Sequence, residues 1–305
     1  MKTWLWQEQW VPQAGVGRAL GICIQDRKIA FVGAGGKTTL LFALADEMRQ
    51  EGRRVLVTTS THIRRPAGFF VTAADLSGMQ QAWDDGQGIV VLGQAAEDGK
   101  LKPARQEICR QAEAMADVVL VEADGSRGLP CKAPAAHEPV LAGDEDLVVA
   151  VGGFSAIGGT LRAVCHRSQQ AAACLQTNSD AVLTAENLAY LLTAPAGGRK
   201  GVPGRFAVVL NQVNTSKELC QAENCARAAS TYLPEVRFLA AGREPLAAVV
   251  LAAGLSRRMA GQDKLLQDFA GQPLFAYALD AVASLPVQER IVVTNTACIR
   301  ERACR

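Results

Sequence analysis

The chain has 305 residues and a net charge of +2, from 32 basic and 30 acidic side chains. That near-balance leaves no electrostatic footprint for nucleic acid or an anionic membrane surface as the main partner. A hydrophobic fraction of 49% with 20% charged residues excludes a disordered chain, and the length suits about two domains.

Nine cysteines are dispersed without a Cys-x-x-Cys pair, the usage of reduced thiols in a cytoplasmic protein. The N-terminus, MKTWLWQEQWVPQ, has neither a long apolar core nor a small-residue cleavage site. No apolar run approaches the ~20 residues of a membrane helix. Trp4, Trp6 and Trp10 read as anchors that pack a short N-terminal element onto the body.

Lys28–Val32 then runs as a strand into Gly33-Ala34-Gly35-Gly36-Lys37-Thr38-Thr39 and a helix. Leu40, Leu41, Leu44 and Met48 recur at helical spacing, and Glu51-Gly52 ends the helix. A strand, a glycine loop and a helix start with Lys-Thr are the parts of a phosphate cradle. Lys37 would meet terminal phosphates and Thr38 would hold Mg²⁺. Phe31 stands where the strict phosphate-loop pattern asks for glycine; the alternative is a glycine turn without a ligand.

Further strand-like runs follow at Val55–Val57, Ile89–Leu92, Val118–Val121, Leu147–Val151 and Phe206–Leu210. The first ends in Thr58-Thr59-Ser60-Thr61-His62, hydroxyls placed where open α/β sheets bind ligands, or else a turn bonded to its own backbone. Val118–Val121 delivers Glu122 and Asp124, two apart and so on one face of an extended strand. With Lys37 and Thr38 they suit a metal-assisting acidic strand, with Asp124 the metal carboxylate beside Thr38; the alternative is a solvated Asp-Gly turn. Lys132, His137 and Glu138 follow in a proline-bracketed loop, and Cys165-His166-Arg167 comes after a glycine-rich segment. Three histidines without a spacing partner argue against zinc. Phe206–Leu210 ends in Asn211, placed to meet a nucleotide base; Gln212 and Asn214 do not support guanine specificity. Residues 194–204 form a Gly/Pro-rich loop, and 240–245 the boundary between domains.

Beyond it, Ala248–Leu251 ends in Gly254-Leu255-Ser256-Arg257-Arg258-Met259, with Lys264 downstream and a further strand-like run at Ile291–Val293. This segment resembles the nucleotide loop of MobA-like nucleotidyltransferases, which attach a nucleotide to molybdopterin. The resemblance implies that Gly254, Ser256, Arg258 and Lys264 hold phosphate; Ala260 departs from the family's glycine. A metal-binding aspartate lies further downstream in that family, so a truncated transferase segment is expected.

Seven earlier segments in order, VGAGGKTTLL, RVLVTTSTHI, VVLVEADGSRG with KAP and HEP, VGGFSAIGG, CHR, GGRKGVPG and LNQV, resemble the YqeC-like family. The resemblance spans roughly Ile29 to Asn214, with Ser60 and Gln212 as mild departures. It implies an accessory role to selenium-dependent molybdenum hydroxylases.

The expected fold is α/β: a three-layer, P-loop-like, mostly parallel sheet over 1–242, then an incomplete Rossmann-like nucleotidyltransferase unit over 243–305. The expected function is an accessory factor binding Mg²⁺ and a nucleoside triphosphate, and hydrolysing it, with molybdopterin or a molybdenum hydroxylase as partner. Its expected site comprises Gly33, Gly35, Gly36, Lys37, Thr38, Thr39, Thr59, Glu122, Asp124 and Asn211. The rivals are a molybdopterin cytidylyl- or guanylyltransferase in a longer product, and a non-catalytic cofactor carrier or chaperone.

Overall fold

Strand residues that alternate between two apolar faces need cover on both. The computed structural model describes residues 1–305 apart from 62, 65–69, 73–75, 97–98, 244–246, 255–262, 286, 288 and 304–305. It divides into two compact units, Met1–Arg243 and Glu244–Arg305.

In the first unit, β1 (Lys2–Trp6), β2 (Trp10–Gln13), β3 (Lys28–Gly33), β4 (Val55–Thr59), β5 (Phe70–Thr72), β6 (Ile89–Leu92), β7 (Val118–Glu122), β8 (Leu147–Gly153), β9 (Arg205–Asn211) and β10 (Arg237–Gly242) build one 10-stranded sheet. Its order is β2-β1-β10-β9-β8-β3-β7-β4-β6-β5. β1 runs antiparallel to β2 and β10; the other pairings are parallel. The result is the expected α/β class with a large, mostly parallel sheet.

Helices cover both faces. Ile29, Phe31, Val149 and Val151 pack against α1 (Val16–Leu20) and α2 (Lys37–Gln50). Ala30, Val32, Val148 and Ala150 face the opposite core, with residues from α3 (Leu76–Asp84), α4 (Gln106–Met115), α5 (Ala185–Thr193) and α6 (Ser216–Tyr232). Adjacent residues of β3 thus feed different cores, which is why its run is continuously apolar.

The N-terminal tryptophans are packing residues. Trp6 and Trp10 meet edge-on at 5.0 Å, Trp10 donates its indole N–H to Leu219 O at 2.9 Å, and Arg227 of α6 lies over Trp6.

Topology also places a crevice. The chain leaves β3 through α2 towards β4 on one side, whereas β8, the neighbour of β3 on the other side, is followed by β9, away from β3. Connections that diverge in this way leave room for a ligand at the carboxyl ends of the strands.

The second unit pairs β11 (Ala247–Ala252) with β12 (Glu289–Thr294) in parallel, beside α7 (Leu274–Ala283) and α8 (Ala297–Ala303). Its core holds Ala252, Phe275 and Ile299. Val249, Leu251, Ile291 and Val293, in register across the pair, are exposed.

Among the described residues, no helix is long and apolar enough to cross a membrane.

Candidate functional site

Three glycines let the backbone after β3 turn tightly under α2. At Gly35, φ is +77°, and a Cβ would lie 2.2 Å from Gly153 N. Only glycine fits so close to β8. The loop is fastened on three sides: Ala34 N–H donates to Val151 O at 2.8 Å, Gly35 N–H to Leu129 O at 3.2 Å, and the Asn211 amide to Gly35 O at 2.9 Å. The helix start that follows has no side-chain cap and no acidic residue in its first turn. Its first N–H groups are therefore available to an anion.

Lys37 opens α2 and is almost fully buried. Its ammonium donates to Gly33 O at 2.6 Å and lies 3.0 Å from Asp124 Oδ1 and 3.9 Å from Glu122 Oε1. Thr38, one residue on, donates its hydroxyl to Glu122 Oε2 at 2.7 Å. Thr38 therefore faces Glu122, not Asp124 as the sequence suggested. Glu122 closes β7 beside β3, whereas Asp124 has left the strand and accepts from Gly33 N–H at 3.0 Å. Burial pushes the Glu122 carboxyl above the ordinary range, against the opposing pull of Lys37 and Thr38.

Asp124 is shared by two lysines. Lys132 Nζ lies 3.1 Å from its Oδ2, donates to Gly125 O at 2.6 Å, and pairs with Glu138 at 2.8 Å. Arg167 completes the series on Glu138. Glu122, Lys37, Asp124, Lys132, Glu138 and Arg167 thus alternate in sign, three of each, through a mostly buried chain of contacts. Burial raises the Glu138 carboxyl, but the hydrogen bond and charge of Lys132, with help from Ala135 N–H and Arg167, bring it down to about 2. Burial, then the positive charges of Arg167, Lys132 and Arg127, lowers the His166 pKa.

Sequence reasoning missed Lys132, Glu138 and Arg167 as a unit. Two two-residue strands, Cys131–Lys132 and Cys165–His166, pair in parallel and bring them together. The adjacent charges in the CKAP, HEP and CHR segments were the available signal, but their pairing is tertiary.

The expected residues of the first unit separate by task. Gly33, Gly35, Gly36, Lys37 and Thr38 form the loop and helix start; Thr39 is exposed on the outer side of α2. The Thr59 hydroxyl donates to Glu122 O at 3.0 Å, tying β4 to β7, and Asn211 pins the loop. Just past Thr59, the buried hydroxyl oxygens of Ser60 and Thr61 have no hydrogen-bond partner among the described residues. In the second unit, Gly254 follows β11 and Lys264 opens a 3₁₀ turn, Lys264–Leu266. Ser256 and Arg258, like His62, lie outside the described residues.

Comparison with known proteins identifies the architecture of the sequence. Residues 29–169 match the family model described as YqeC protein. The chain is 35% identical over 190 residues to the "Uncharacterized protein YqeC" of Escherichia coli (strain K12), covering 57% of this chain and 71% of that relative. The chain belongs to the YqeC family. The matched stretch holds the glycine loop, α2, Glu122, Asp124, Lys132, Glu138 and Arg167. Residues 248–304 match a MobA-like NTP transferase domain, so this YqeC chain also carries a nucleotidyltransferase-type segment.

Proposed function

We propose that the first unit binds a Mg²⁺–nucleoside triphosphate in a P-loop-like manner and hydrolyses it. In this reading the protein is a cytoplasmic accessory factor in maturing a molybdenum hydroxylase or its molybdopterin cofactor. The carrying observation is the 2.7 Å hydrogen bond from Thr38 to Glu122 at an uncapped helix start beside Lys37.

The donors suit the ion. A hydroxyl and a carboxylate are hard oxygen ligands of the kind Mg²⁺ takes with phosphate oxygens. Thr38 and Glu122 would hold it, and it would supply charge neutralisation at the terminal phosphates. We assign the metal carboxylate to Glu122, and to Asp124 the task of holding the lysines.

The protein's own groups supply the rest. Loop and helix amides bind phosphate oxygens. Lys37 leaves Gly33 O and Asp124 to grip the terminal phosphate. Asp124 keeps a counter-ion when it does so, because Lys132 remains 3.1 Å away. Ser60 and Thr61 offer hydroxyls without a partner among the described residues, at the neighbouring strand end, for orienting a water or an acceptor group.

Calorimetric titration with ATP, GTP and CTP, with and without Mg²⁺, tests the reading. Mg²⁺-dependent binding lost in Lys37→Ala is expected; equal affinity in both proteins removes the loop from the site. Binding without turnover would favour the non-catalytic carrier.

A second reading, nucleotidyl transfer to molybdopterin, is favoured by the MobA-like match at residues 248–304. Pyrophosphate release that depends on molybdopterin would put it first.

A further inference from the structure

At the end of the main-sheet strands opposite the glycine loop, three parallel strands begin together around a cavity of about 450 Å³. Its wall includes Leu147 at the start of β8, Arg205 and Phe206 opening β9, Arg237 opening β10, and Gly21 just after α1. Arg199, from the Gly/Pro-rich loop before β9, completes a set of three guanidinium groups. The volume lies in the range of small-molecule pockets.

Charge is unbalanced there. Arg205 pairs with Asp26 at 2.6 Å. Among the described residues Arg237 pairs with no carboxylate: it donates to Ala19 O at 2.5 Å and Arg18 O at 3.3 Å. Burial, then the nearby charge of Arg205, lowers the Arg237 pKa, so the cation is held where it is disfavoured. The Arg199 guanidinium has no partner among the described residues, and Glu235, the one acid in the wall, pairs with neither arginine among them. Capping the carbonyl end of α1 explains the hydrogen bonds of Arg237. Arg199 and Arg205 are exposed and hydrated at the mouth, Arg237 is half-buried behind them, and the capping of α1 does not account for the three sharing one cavity.

We infer that this cavity is a second ligand site, for a small organic phosphate, with Arg199 and Arg237 gripping the phosphate and Phe206 and Val236 flanking the organic part. Guanidinium forks suit phosphate oxygens, and the mixed wall suits an anion with an apolar body. The site is independent of the nucleotide reading and shares no residue with it.

Titration with inorganic phosphate, followed by calorimetry, tests the assignment on the full chain and on Arg199→Gln, Arg237→Gln and Lys37→Gln. Phosphate affinity should fall about tenfold in each arginine variant, with Mg²⁺–nucleotide binding unchanged, while Lys37→Gln keeps this component. Arg237 also holds the end of α1, so thermal melting must accompany its variant. If that variant loses its fold, Arg199→Gln decides alone. Absence of phosphate binding, wild-type affinity in Arg199→Gln, or loss of all phosphate binding in Lys37→Gln would overturn the inference. Phosphate binding that needs the arginines, in a chain that binds no nucleotide, would leave this site standing and reject the nucleotide reading.

Discussion

Strand β3 and strand β11 each carry an apolar run towards a glycine, yet β3 is buried along Ile29–Val32 whereas β11 buries only Ala252. β3 lies between β7 and β8, and β11 pairs with β12. The flanking strands make the difference chemical as well as structural. Glu122 comes from β7, the close backbone at Gly153 from β8, and the Asn211 clamp from β9. A glycine loop is thus a local feature, while the groups that give it charge and rigidity arrive from strands distant in sequence.

The largest effect that would break this comparison lies in the buried ion chain. Lys132→Met leaves Asp124 with Lys37 alone and Glu138 with Arg167 alone. Removing one partner of buried ion pairs costs about 3–5 kcal/mol. Chemical denaturation should register a loss of that order. A change below about 1 kcal/mol would mean that the chain of charges is not what holds the loop's surroundings.

That chain also marks where the sequence stopped being informative. Each of the first-unit runs, from Ile29–Val32 to Phe206–Leu210, lies within a strand of the main sheet, because a fully buried parallel strand leaves a continuous apolar imprint. The loop was legible for a similar reason: glycine spacing is local. The choice between Glu122 and Asp124 was not. Both follow the same apolar run, and the direction each takes depends on β7 ending at Glu122 and on Gly33 N–H capturing Asp124. Lys132 and Arg167 meet through Glu138, a contact that no periodicity records.

Acid titration probes the same chain more gently. The Glu138 pKa lies at about 2, below its ordinary 4.5. A depressed carboxylate contributes stability that is complete above its unfolded pKa and is lost as pH falls to the folded one. The loss should therefore fall between pH 4.5 and about 2, and amount to on the order of 3 kcal/mol for this group. Glu138→Gln should flatten that part of the stability–pH curve. An unchanged slope would detach Glu138 from the buried series.

Next in size are the paired substitutions at the loop. Glu122→Gln should weaken Mg²⁺-dependent nucleotide binding about tenfold to a hundredfold, roughly 1.5–3 kcal/mol for a lost charge-assisted contact. It should not lower stability near neutral pH, because burial already disfavours the ionised carboxylate. Asp124→Asn should reverse the pattern, costing more stability than metal dependence, since it weakens the bridge between Lys37 and Lys132. Mg²⁺ titrations at fixed nucleotide, run beside melting curves, separate the two. If Asp124→Asn alone moves the Mg²⁺ midpoint, the carboxylate assignment is reversed.

The smallest effects are expected in the second unit, and they sharpen the contrast between its glycine and those beneath α2. Gly35→Ala places a methyl against β8 in a left-handed conformation and should cost at least about 1–3 kcal/mol. At Gly254 an added Cβ meets nothing within 4 Å among the described residues, and φ there is not in the left-handed range. Gly254→Ala should therefore stay within about 0.5 kcal/mol, the usual span for a surface position. Leu251, 78% exposed on the bare face of β11, should behave likewise as Leu251→Ser. Both can be read as shifts in the denaturant midpoint of the full chain. A cost at Gly254 comparable to that at Gly35 would mean that the second loop is as tightly packed as the first, and the difference drawn between β3 and β11 would fail.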